Sequence, residues 1–123
     1  MGKKKKAFNP AMDDRVQNRM AILMDQFAKE LGDEFSNLPL TRQQSVLVRI
    51  VEGAHNEHQL YKHRVVAGLK ALGLRASDRI IFSQGDDPAR LVALNELLRA
   101  KEAAKEAWLL ANQANTLISL LAD

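Results

Sequence analysis

The chain has no cysteine. A disulfide scaffold, a zinc ribbon and a thiol nucleophile are therefore all excluded, and the composition fits a reducing compartment. Aromatic residues make up only 5% and there are just 3 prolines and 6 glycines, so most of the chain carries no breaker of regular structure. No apolar run approaches the ~20 residues that a membrane-spanning helix needs. The basic residues near Met1 are not followed by an apolar stretch of signal-peptide type, which makes cytoplasm the expected location.

With 123 residues the chain has the length of one domain. A domain of this size buries roughly two-thirds of its unfolded surface and can hold a core without metal or cross-links. The formal net charge is +3, while Lys3, Lys4, Lys5 and Lys6 alone contribute four positive charges, so the rest is near neutral. Residues 1–9 read as a basic, unstructured tail. That tail is either a solvated end or a tether to phosphate-rich surfaces. The remainder, 10–123, lacks the basic excess expected of a nucleic-acid reader, and reads as a single helical domain.

The prolines and glycines mark three helices at about 10–35, 41–72 and 88–122. Asn9-Pro10 supplies a cap and a first-turn proline. Val16, Met20, Leu23, Phe27, Leu31 and Phe35 then form one apolar stripe, with Gly32 fraying or bending the last turn. After Asn37-Leu38-Pro39, Thr41 and Gln44 have the spacing of a capping box. The second stripe is Leu47, Val51, Ala54, His58, Tyr61, Val65, Gly68 and Leu72, and Gly73 is placed to stop the helix in a left-handed conformation. Between Leu74 and Asp86, the apolar run Ile80-Ile81-Phe82 is expected to fold onto the end of the bundle. Asp87-Pro88 restarts the helix. The fold class is all-α, with three long antiparallel helices in a bundle or coiled-coil-like hairpin arrangement.

Helix 3 carries the most informative pattern. Ala93, Leu97, Ala100, Ala104, Ala107, Ala111, Ala114, Ile118 and Leu121 form an unbroken seven-residue repeat with alanine at six of nine positions. Small side chains allow close helix approach, so this is first a core seam and second a partner groove. Leu91, Leu94, Leu98, Trp108, Leu110, Leu117 and Leu120 add apolar surface beside the seam. A helix apolar on much of its circumference must be covered, by its own bundle or by a partner.

One cluster looks chemical. Glu52, His55 and His58 follow at i, i+3 spacing, and Glu-x-x-His is the spacing used in di-iron bundles. Such sites need a second motif and two further carboxylates, whereas the stripe places His58 toward the core and His55 toward water. Neither a phosphate-binding glycine loop nor a nucleophile turn is present. The expectation is therefore a protein without catalysis and without a cofactor, with a metal-binding helical protein or a mobile-element nucleic-acid accessory protein as the alternatives.

From Leu47 onward, over roughly the last 75 residues, the chain resembles the FlgN-type flagellar export chaperones. Three pieces occur in order. Tyr61-Lys62-His63-Arg64 precedes Leu69-Lys70-Ala71-Leu72-Gly73-Leu74, a short polar loop follows, and the last helix carries Leu97-Leu98 and ends on Asn112, Asn115 and Ile118. The resemblance implies an all-helical protein that holds unassembled hook–filament junction subunits, gripping a helical segment through Leu110, Asn112, Asn115, Leu117, Ile118 and Leu121. The residues alone point the same way and add Trp108. Apolar side chains flanking two asparagines suit a helix-in-groove complex whose register the amides fix, unless those amides simply face solvent. A homodimer through the alanine seam is a variant of the same idea.

Overall fold

The structure, a computed structural model, describes residues 14–81, 85 and 87–122. The expected tail over 1–9, the helix start at Pro10 and the side chain of Phe82 lie outside them. The protein is all-α. Helix α1 is Asp14–Glu30, α2 is Leu40–Leu72 and α3 is Pro88–Ala122, with a 3-10 turn at Phe35–Asn37. No strand occurs among the described residues, and no helix is long and apolar enough to cross a membrane.

Local chemistry sets most of the helix ends. Gly73 has φ +70°, its N–H donates to the Lys70 carbonyl and the Leu74 N–H donates to the Leu69 carbonyl. This pair of bonds satisfies carbonyls that the last turn leaves open, and only glycine takes that conformation without penalty. At the start of α3 the Asp87 carboxylate accepts from the Arg90 N–H at 2.8 Å, as an N-cap should.

Two ends differ from the sequence expectation. Helix α1 stops at Glu30 and does not reach Phe35, because Gly32 adopts φ +100° and closes it with the same bond pair: Gly32 N–H to Lys29 carbonyl, Asp33 N–H to Ala28 carbonyl. The Thr41–Gln44 box is not the start of α2. Leu40 already lies in the helix, the Pro39 carbonyl accepts from the Arg42 and Gln43 N–H groups, and the Thr41 carbonyl accepts from Ser45 Oγ. Pro39 and Gln43, whose amide donates to the Phe35 carbonyl at 3.0 Å, set this end instead.

The described chain packs as two compact units, the first up to His55 and again from Glu106, the second Asn56–Lys105. The first is a three-helix bundle. Its core consists of Val16, Met20 and Ala28 from α1, Val46, Leu47, Ile50 and Ala54 from α2, and Leu109, Leu110 and Ala114 from α3, with Leu38 beneath the 3-10 turn. Leu23, Phe27, Phe35, Leu117, Ile118 and Leu121 pack half-buried against it. Surface contacts mark how the helices lie: Arg15 and Arg19 approach Glu106 at 3.9 and 3.7 Å, and Arg49 pairs with Glu30 and lies 4.1 Å over the Phe27 ring. Hence α1 runs antiparallel to α2 and parallel to α3.

The second unit is a hairpin of the later turns of α2 and the earlier turns of α3. Leu69, Leu94, Leu97 and Ala100 are its buried apolar residues. His58 belongs here, half-buried, its Nδ1 3.0 Å from the Ala104 carbonyl. The linking loop is tied by Asp78, whose carboxylate accepts from the Arg75 N–H at 2.8 Å. Of the apolar run, Ile80 is half-buried and Ile81 is 66% exposed, so these two described residues do not fold inward together. Consecutive residues in an extended segment point to opposite sides, and only one of the two can face inward.

Candidate partner-binding surfaces

The seven residues expected to meet a partner all lie on the part of α3 that belongs to the three-helix unit. An α-helix turns about 100° per residue, and this separates them into two groups. Leu110 shares an arc with the sealed Ala107 and Ala114 and is itself 1% exposed. It belongs to the core and is out of reach of a partner. Leu117, Ile118 and Leu121 continue that arc, half-buried against the core, and offer only their outer edges. The seam reading of the alanine repeat therefore holds in this unit.

The second group faces outward. Trp108, Asn112, Asn115 and Ser119 recur at i, i+4, i+7 and i+11 on the side of α3 opposite Leu110 and Ala114. Trp108 is 49% exposed, Asn112 half-buried and Asn115 exposed. A half-exposed tryptophan leaves roughly 100 Å² of ring accessible beside two amides that can each donate and accept. The Asn112 carbonyl also accepts from Thr116 Oγ1 at 2.9 Å, which anchors that hydroxyl to the helix and leaves the amides free of it. Leu120, 63% exposed, stands about 120° around the helix from Trp108 and is not part of this stripe.

The acidic and histidine residues of α2 do not come together as a metal site. Glu52 and His55 are both exposed, and His58 turns a ring nitrogen to the Ala104 carbonyl. Among the described residues no three His, Cys, Asp or Glu side chains group to hold an ion. The lysine run Lys3–Lys6 lies outside the described residues.

The second unit contains an open surface along the alanine repeat, for which a partner groove is the second reading of the sequence. On one face of the hairpin an open groove of about 690 Å³ runs between the helices. Ala67, Gly68 and Ala71 of α2 and Ala93, Ala100 and Ala103 of α3 line it with small side chains. A Cβ on Gly68 would meet Leu97 Cδ1 at 3.3 Å, so the glycine lets Leu97 seat between the helices. Arg64, Glu96 and Arg99 border the groove, and the Arg64 guanidinium lies 5.2 Å from the centre of the Tyr61 ring. The alanine repeat thus has two fates. Ala107 and Ala114 have no exposure in the three-helix unit, while in the hairpin Ala100 is buried at 8% and Ala93 and Ala103 stay half-buried beside the groove. The signal was helix length: α1 has 17 residues and α3 has 35.

Compared with family models, curated proteins and solved structures, the chain matches none. The likeness to FlgN-type chaperones rests on the three sequence motifs. Two of them can be placed: Leu69–Leu74 forms the end of α2, and Asn112, Asn115 and Ile118 lie on the last turns of α3.

Proposed function

We propose that this protein is a cytoplasmic helical adaptor that binds a helical segment of another protein through the outward face of α3, without catalysis or cofactor. Its most specific form is an export chaperone holding an unassembled hook–filament junction subunit, the role implied by the resemblance. Trp108 carries the reading. The chain's single tryptophan keeps half its surface in water within the same helical turns whose alanines are sealed. Asn112 and Asn115 on the same stripe supply paired donors and acceptors that set register, and the outer edges of Leu117, Ile118 and Leu121 flank it. Large aromatic side chains beside satisfiable polar groups are where interface energy concentrates.

The sole tryptophan also reports on the surface. Titrating the protein with peptides from the terminal helices of junction subunits should shift its emission to the blue as the ring leaves water. Burying roughly 100 Å² of ring at about 25 cal/mol per Å² is worth about 2.5 kcal/mol, so Trp108→Ala should weaken binding by up to about seventyfold. Asn115→Ala should weaken it less. Binding that leaves the emission unmoved and survives Trp108→Ala would rule this face out.

A further inference from the structure

We infer that the groove of the second unit is a self-association surface, in which two copies of the chain pair through antiparallel contact of α3. The inference is independent of the Trp108 face. It starts from an incomplete core. A helix gains most of its stability by packing an apolar face against neighbours, and in this unit the small-residue face is only partly covered: Ala67 and Ala71 are exposed and Ala93 and Ala103 half-buried. Val92, on the same side, is 58% exposed.

The charges name the occupant. Along α3, Glu96, Arg99 and Ala103 line the groove, and Val92 continues the same stripe beyond it, at i, i+4, i+7 and i+11 counted from Val92. Glu96 and Arg99 are exposed, and neither has an ion-pair partner among the described residues. A two-fold interface must be complementary to itself. In an antiparallel pair of α3 helices with the axis midway between Leu97 and Leu98, Glu96 of each copy stands opposite Arg99 of the other. Val92 of each then stands opposite Ala103 of the other. The stripe therefore supplies two reciprocal ion pairs at its centre and a large-on-small apolar contact at each end. Arg64, on the α2 wall and likewise without an ion-pair partner, borders the same surface. A foreign helix would need acidic groups at matching spacing, whereas a second copy already carries them.

The area sets the strength. Asn56–Leu72 of α2 extends about 25 Å, and two helices side by side are about 20 Å wide. The pair buries on the order of 1,000 Å² in total, at or below the lower edge of what stable interfaces use, so the expected dimer is a weak, concentration-dependent one.

Sedimentation equilibrium of the full chain over about 5–300 µM tests this, with helix content followed by circular dichroism. Wild type should move with concentration from the 13.7 kDa of one chain toward twice that mass. Glu96→Arg sets like charges opposite each other twice and should raise the dissociation constant by about two orders of magnitude with helix content unchanged. The exchange Glu96→Arg with Arg99→Glu restores both pairs in reversed sense and should restore association. A single-chain mass throughout overturns the proposal, as does a dimer indifferent to Glu96→Arg. Failure of the double exchange to recover association overturns the register on which it rests.

Discussion

Two glycines in the interior of α2 make a controlled comparison. Replacing either by alanine removes about the same backbone entropy from the unfolded chain and gains about 1 kcal/mol of helix propensity. Their surroundings differ. A Cβ at Gly53 finds nothing within 4 Å, whereas one at Gly68 sits 3.3 Å from Leu97 Cδ1 and 3.8 Å from Leu97 Cβ. Leu97 is 3% exposed, so it can yield only by pushing on its own neighbours, and overpacking of this kind costs about 1–3 kcal/mol. Gly53→Ala should therefore stabilise by close to the full propensity gain. Gly68→Ala should be neutral or destabilising. Urea unfolding followed by circular dichroism separates them, since 1 kcal/mol moves the midpoint by about 0.5 M when m is near 2 kcal/mol/M. Low micromolar protein keeps self-association out of the measurement. Equal stabilisation by both substitutions would refute the close approach of α2 and α3 at Gly68 and Leu97.

Two further substitutions test the helix ends and the core by the same unfolding assay. Gly73→Ala, at φ +70°, should cost about 1 kcal/mol and Gly73→Asn less, because asparagine tolerates the left-handed region better; an equal cost would mean the terminus relaxes. Leu47→Ala removes a side chain with no exposure in the centre of the three-helix unit and should cost about 3 kcal/mol, and a loss under about 1 kcal/mol would place Leu47 outside the core.

The helices themselves were legible because their signals are local. Asp87 and Pro88 begin α3 and Gly73 ends α2 where the sequence places them, since a cap or a left-handed glycine acts on residues within one turn. The stripes held except at Leu31, which lies past the end of α1 and is 38% exposed. Val16, Met20, Leu47 and Ala54 are buried as their period requires, and His55 is exposed while His58 is half-buried. Gly32 and Pro39 were visible too, but they were outweighed by a stripe reaching Phe35 and by the Thr41–Gln44 spacing. At those two ends the local backbone bonds decided.

The order of amino acids thus determined that this protein is helical, where two of its long helices end and which face of each is apolar, because those properties depend on neighbours three or four residues away. Tertiary structure alone decided what each apolar face meets. It sealed Leu110 and left Trp108 half in water, two residues apart on one helix. It closed the alanine repeat fully at Ala107 and Ala114 and left Ala93 only half-buried beside a groove. The physical reason is that burial is a property of contacts between residues distant in sequence, and one repeat can be sealed along one stretch and border a groove along another.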